Sequence, residues 1–321
     1  MTKLLIGVDL GGTQIRALVT DLEGKELGRS ATLTRATEGT QAVISRILDM
    51  IRAAMGSLAW DGVQGLAIAV PGPTDPRAGL VLQAPNLPGW RNLPLSQIIA
   101  DELGVPTQLG NDANLAALGE RAYGAGRGVD NLVYMTISTG IGGGIIADGR
   151  LVLGVRGLAG EFGHQTIEPD GPLCGCGNRG CLEALAAGPA IARMGREAVA
   201  HGRGARLLDL AQGSPEAIDA RIVGRAAQEG DATAIEIVRR AATYVGIGLA
   251  NVCNILNPAM IVLGGGVTRI GPLLFDGIRE TIAVRAMPPM RDVRVVPAAL
   301  GGDVVLLGAI ALLAAGQSEG K

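Results

Sequence analysis

The sequence predicts an α/β fold made of two related lobes. The main observation is a repeated unit near the start of each half. "KLLIGVDL", "GGT" and "IRALVTD" read as strand, glycine bend and strand, and "NLVYMTIS", "TGIGGG" and "IIAD" read the same way. The second observation is that strand-like apolar runs then alternate with segments of helical period. The third is length, since 321 residues suit roughly two domains of about 150 residues each. No proline-rich or Gly/Ser linker interrupts the chain, so the two lobes are expected to pack with a cleft between them.

Taken in order, "KLLIGVDL" has no clear alternation, which suits a strand buried on both faces. "LEGKEL" supplies a hairpin turn and a third short strand. Residues 38–57 carry apolar residues at helical spacing, and "VQGLAIAV" is a strand ended by "PGPTDP". A helix over 95–103 and a short strand "VPTQLG" lead to "NDANLAALGERAYG", a helix with polar capping at its start. After the second glycine bend come the hairpin piece "GRLVLG" and helices near 189–200, 205–212, 215–228 and 232–256. A strand "AMIVLGGGV", a helix over 271–285, a strand "VRVVPAAL" and an apolar terminal helix complete the chain.

Composition narrows the function. Hydrophobic residues are 48% and charged residues 18%, enough for a sizeable core and unlike disorder. The 50 glycines have no three-residue period, so they imply tight turns and close backbone approaches. Aromatics are only 2%, which argues against stacking platforms for single-stranded nucleic acid. A formal charge of −2 offers no polybasic surface for nucleic acid or membrane. Asp9 interrupts what would be a signal-peptide apolar region, and "VVLLGAIALLAAG" falls short of the roughly 20 residues of a membrane helix. A cytoplasmic, reducing location is therefore expected, where disulfides are rare.

Three glycine bends end strands: "DLGGT", "TGIGGG" at 139–144 and "LGGGV" at 263–267. Such bends let consecutive N–H groups approach an anion, and Thr13 adds a hydroxyl. Asp9 could hold Mg²⁺ directly or through water. A purely structural hairpin is the alternative, and neither the Rossmann spacing nor a Walker lysine is present. In "LGNDANLA", Asp112 opens a helix whose dipole favours an ionised carboxylate, able to take a proton from an attacking hydroxyl. The plainer reading makes Asn111 or Asp112 only a helix cap.

Three of the four cysteines lie close together in the stretch 160–188. Cys174 and Cys176 are too near in sequence to bridge without strain, and the CxxC redox spacing is absent. One histidine, His164, with Cys174, Cys176 and Cys181 makes a closed tetrahedral Zn²⁺ site, structural because no position stays open. Free thiols are the alternative. Cys253, in an apolar helix, is expected in the core, and His201 at an exposed helix end.

Together "GVDLGGTQIRA", "VPGP", "PNLPGW", "GNDANLAALGE", "STGIGGGII", "GEFGH…CGCGNRGCLEALAAG" and "IVLGGGV" resemble the ROK family, within it the ATP-dependent bacterial glucokinases. The resemblance runs over nearly the whole chain. It implies a duplicated actin-like (ribonuclease H-like) ATPase fold whose two lobes, 1–111 plus 300–321 and 112–299 with the zinc-binding loop, flank an interlobe cleft. It implies ATP-dependent phosphorylation of a hexose, glucose first, with Asp112 as the base. Asn86, Asn111, Glu161, His164 and Glu183 would bind sugar hydroxyls. Gly11, Gly12 and Thr13, then Thr139 and Gly140, would form two phosphate loops, and Gly264, Gly265 and Gly266 would line the nucleotide end. His164 would bind zinc through one ring nitrogen and face the sugar with the other. ATP, Mg²⁺, a structural Zn²⁺ and a homodimer follow from the same resemblance. Family members often carry Lys where Gln14 stands, and Arg16 is the nearby cation that could compensate.

Kinases for N-acetylglucosamine, N-acetylmannosamine, fructose or allose share most of these motifs, and polyphosphate is a possible donor in place of ATP. From a different class, a sugar-responsive repressor of the family would carry a DNA-binding segment ahead of the first strand. That strand begins at residue 3 and no basic stripe replaces such a segment, so the kinase is expected. A chaperone-like or cytoskeletal ATPase gives no reason for the sugar-facing cluster.

Overall fold

The computed structural model describes residues 2–318; Met1 and residues 319–321, the outermost ends of the expected first lobe, lie outside the described residues. The strands are β1 (Leu4–Leu10), β2 (Gln14–Thr20), β3 (Glu26–Leu33), β4 (Val63–Val70), β5 (Thr74–Asp75), β6 (Leu80–Gln83), β7 (Arg91–Leu93), β8 (Thr107–Asn111), β9 (Leu132–Ile137), β10 (Ile141–Ala147), β11 (Arg150–Leu151), β12 (Met260–Gly264) and β13 (Arg294–Pro297). The helices are α1 (Thr40–Met55), α2 (Leu95–Leu103), α3 (Asp112–Tyr123), α4 (Leu182–Ala186), α5 (Gly188–Ala200), α6 (Ala205–Leu210), α7 (Ala220–Gln228), α8 (Ala232–Leu256), α9 (Pro272–Arg285) and α10 (Val304–Ser318). They form two compact units. Among the described residues the first is 2–130, 144–160 and 299–318, and the second is 131–143 and 161–298.

The repeated unit read from the sequence is a repeat of topology. One five-stranded sheet has the order β3-β2-β1-β4-β8 and the other β11-β10-β9-β12-β13. In each, the strand that precedes the glycine bend is central and its hairpin partner lies to one side. β1 pairs antiparallel with β2 and parallel with β4, and β12 lies parallel to both β9 and β13. Leu5, Ile6, Val8 and Leu10 of β1 are all buried, which is why its sequence does not alternate. A small third sheet, β5-β6-β7, has no counterpart in the sequence reading, because strands of two to four residues show no period.

In the first unit, α3 and α10 pack on each other and α10 lies against β1 and β4. Glycines make this possible. A Cβ on Gly308 would stand 1.8 Å from the Leu115 carbonyl oxygen, and one on Gly119 would stand 2.4 Å from that of Val304. The apolar run 304–316 is thus a core helix, with Leu306, Ala309 and Ile310 fully buried. No helix among the described residues is long and apolar enough to cross a membrane. The junction 111/112 falls inside this unit, since β8 runs directly into α3.

Glu120, on α3, is fully buried. Its carboxylate accepts hydrogen bonds from the N–H groups of Ala125 at 2.8 Å, Ala299 at 3.0 Å and Leu300 at 2.9 Å. It therefore ties α3 to the turn that precedes α10. Glu120→Ala strands these donors and is expected to destabilise the protein by about 3 kcal/mol, read by urea unfolding. A loss under about 1 kcal/mol would remove Glu120 as the tie.

Two expected elements differ. "TGIGGG" is not a turn throughout: the bend closes with the Ser138 N–H on the Gly140 carbonyl at 2.8 Å, and β10 starts at Ile141. Gly143 and Gly144 serve close packing instead. A Cβ on the first would meet Phe162 at 2.3 Å, and one on the second would meet Ala117 at 2.7 Å. The helix expected over 215–228 is a short turn at Pro215–Ala217 followed by α7. Asp219 interrupts it by capping α7, accepting from the Arg221 and Ile222 N–H groups at 2.9 Å each.

Candidate active site

In the first unit, β1 carries Asp9 to the first glycine bend. The bend closes through the Gly11 N–H on the Gln14 carbonyl at 2.9 Å. Thr34 clamps it from β3's end: its hydroxyl donates to the Gly11 carbonyl at 2.6 Å and its N–H to that of Thr13 at 2.8 Å. Thr34 is fully buried and gave no sequence signal, because its contacts are 21 to 23 residues away. Asn86 lies over the same bend, where a Cβ on Gly12 would stand 2.9 Å from the Asn86 Cβ. Gly12 thus lets Asn86 approach, a reason beyond backbone freedom.

Asp9 is 14% exposed at its side chain and both guanidinium bonds from Arg16 fall on its Oδ2, at 3.2 and 2.5 Å. Burial pushes its carboxyl above the usual range, opposed by Arg16. Asn111 is the cap of α3: its Oδ1 accepts from the Ala113 and Asn114 N–H groups at 2.9 and 3.2 Å, and its Nδ2 donates to the Gly72 carbonyl at 3.1 Å. The capping role thus belongs to Asn111. Asp112 occupies the first helical position, partly exposed, with its Oδ1 2.9 Å from the Ala113 nitrogen.

In the second unit, Glu183 of α4 joins several of the expected residues. Its Oε2 accepts from the Ile141 N–H at 2.8 Å, just after Thr139 and Gly140, and its Oε1 lies 4.0 Å from the Cys174 sulfur. A Cβ on Gly140 would meet that carboxylate at 2.4 Å. The third glycine bend lies beside the second. The Ser138 hydroxyl oxygen is 3.9 Å from where a Gly266 Cβ would be, and Gly265, at φ +88°, abuts the Ile137 carbonyl. Gly264 packs on the Tyr134 hydroxyl, where a Cβ would come within 2.4 Å.

His164, Cys174, Cys176 and Cys181 present one donor atom each, all within 4.8 Å of one another. The Cys176 and Cys181 sulfurs are 3.7 Å apart, and His164 Nδ1 is 3.8 Å from the Cys174 sulfur. A tetrahedral ion with sulfurs at about 2.3 Å sets neighbouring sulfurs about 3.8 Å apart, so the cluster fits such an ion. The other ring nitrogen, Nε2, is 3.9 Å from the exposed Glu161 carboxylate. Gly180, at φ +64°, lies so close to the Glu168 carbonyl that no side chain fits, and this folds the loop back on itself. Burial raises the Cys174 thiol and pushes Cys181 up to about 12, whereas the Asn178 N–H lowers Cys176. Metal uptake would displace protons from these thiols, so it weakens as pH falls. Cys253 is buried in α8, and His201 is exposed at the end of α5.

Tyr244 of α8 was not singled out in the sequence. Its hydroxyl donates to Glu168 at 2.5 Å and so pins the cysteine loop to α8. The contact spans 76 residues, beyond any local signal.

Two sheets of matching order, each with a glycine bend after its central strand, define an actin-like ATPase fold of the sugar-kinase type. The chain belongs to the ROK family, whose model matches residues 5–315. A glucokinase of Thermotoga maritima is 39% identical over 317 residues, 98% of each chain. A crystal structure of a ROK family glucokinase from Streptomyces griseus, in complex with glucose and AMPPNP, superposes with a TM-score of 0.81 at 37% identity, covering 96% of this chain and 98% of that one. A xylose repressor of Caldicellulosiruptor bescii is 32% identical over 96% of this chain and 77% of its own.

Proposed function

We propose that this protein is a glucokinase that transfers the γ-phosphoryl group of ATP to a hydroxyl of glucose. The observation that carries this reading is the 39% identity to a glucokinase over 98% of both chains. The candidate site supports it with a carboxylate at a helix start and glycine bends in both units.

In this reading Asp112 takes the proton of the attacking sugar hydroxyl, and the helix N-terminus favours its charged form. Asn86, Asn111, Glu161, His164 and Glu183 orient the sugar's other hydroxyls. Gly11–Thr13, Thr139–Gly140 and Gly264–Gly266 line the nucleotide; at the first bend the Gly12 and Thr13 N–H groups would face it, because the Gly11 N–H is held by the Gln14 carbonyl. Asp9 is the candidate holder of Mg²⁺, which would neutralise charge on the phosphates when bound. The Cys₃His cluster holds a structural Zn²⁺ that fixes His164 and, through Cys174, Glu183. A cytoplasmic setting belongs to the same proposal, because the thiols must stay reduced to bind metal.

An ADP-release assay with ATP across a panel of hexoses tests the reading. Glucose is expected to give the highest kcat/KM. Preference for N-acetylmannosamine or another hexose would move the substrate within the family, and sugar binding without ADP release would favour the repressor reading that the xylose repressor relative suggests.

A further inference from the structure

Arg16 faces Asp9 directly across the β1–β2 pairing. Its Nε and Nη2 both reach Asp9 Oδ2, and its Nη1 lies 3.7 Å from Asp303 Oδ1. Asp303 is held in turn by the Arg29 fork, at 2.9 and 3.0 Å. It closes the short turn Gly301–Asp303, directly after the Ala299 and Leu300 N–H groups that Glu120 anchors to α3. Within the first unit, charge-assisted contacts joined by the backbone from Leu300 to Asp303 therefore link the helix that carries Asp112 to the carboxylate at the first glycine bend.

We propose that Arg16 is a positioning residue for nucleotide binding: anchored by Asp303, it fixes the Asp9 carboxylate at the Gly11–Thr13 bend. The guanidinium is engaged by two carboxylates, so it does not replace a phosphate-binding lysine at position 14. The inference rests on the proposed function of that bend as a phosphate site. A fork of this kind fixes direction as well as charge, which a lysine ammonium does not.

Calorimetric binding of Mg·ADP and, separately, of glucose tests it in the full-length protein. Arg16→Met is expected to weaken Mg·ADP binding roughly tenfold, the scale of one lost charge-assisted contact, and to leave glucose binding unchanged. Arg16→Lys is expected to recover part of that loss. Asp303→Asn is expected to weaken Mg·ADP roughly threefold in the wild type and to add nothing in the Arg16→Met background. If Arg16→Met fails to fold, Arg16→Lys and Asp303→Asn carry the test with the same signs. Unchanged Mg·ADP affinity in these variants overturns the inference, as does a parallel loss of glucose and nucleotide binding, which marks a merely structural pair. Wild-type protein that binds neither Mg·ADP nor glucose would instead sink the proposed function itself.

Discussion

Asp112→Asn is expected to lower kcat by a factor of roughly 10²–10⁴, the usual contribution of a positioned general base. Asparagine keeps an oxygen where Asp112 Oδ1 meets the Ala113 nitrogen, and Asn111 still caps the helix, so the start of α3 should survive. What is lost is the capacity to accept a proton. Glucose affinity by calorimetry should stay near the wild-type value, and the thermal midpoint should hold. Steady-state kinetics at saturating ATP and glucose decide the matter, and a turnover number within about threefold of wild type would remove Asp112 from the base role.

Removing the metal is expected to be the largest structural perturbation. An ion held at a free concentration about a thousandfold above its Kd contributes about 4 kcal/mol to the folded state. In a chain of 321 residues that is roughly 6 °C in melting temperature. Cys181→Ser removes a fully buried thiol of the candidate metal cluster, which sits between Thr166, its bridge partner, and α4. Metal analysis should find one zinc per chain in the wild type and less than one in this variant. The KM for glucose should rise as well, because His164 and Glu183 would lose their fixed positions. Wild-type protein that is active and free of zinc would exclude the structural-metal reading.

The reach of the sequence differs between the two halves of the candidate site. The cysteine loop was legible because its donors lie within 18 residues of one another, and local spacing constrains what they can do. The same holds for Asn111 and Asp112, which mark a helix start by residue type alone. Glycine was less informative, because one residue type serves several purposes. The glycines at 143 and 144 signalled a turn, yet they lie inside β10 where a side chain and a helix come close. Gly308 and Gly119 gave no functional signal, yet they let α3 and α10 meet, and α3 carries Asp112 at its start.

By itself the sequence determined the strand–bend–strand repeat, the start of the helix at Asp112, the reactive residue types and the family resemblance. All of these are local, since propensity, period and short spacing act over a few residues. Only the tertiary structure decided which groups meet across long separations. Glu120 binds backbone 179 and 180 residues away, and Arg16 shares Asp303 from the far end of the chain. Tyr244 holds Glu168 beneath the cysteine loop. For Glu120 the reason is that a buried carboxylate must find donors wherever the fold brings them, and no local pattern records any of these distant pairings.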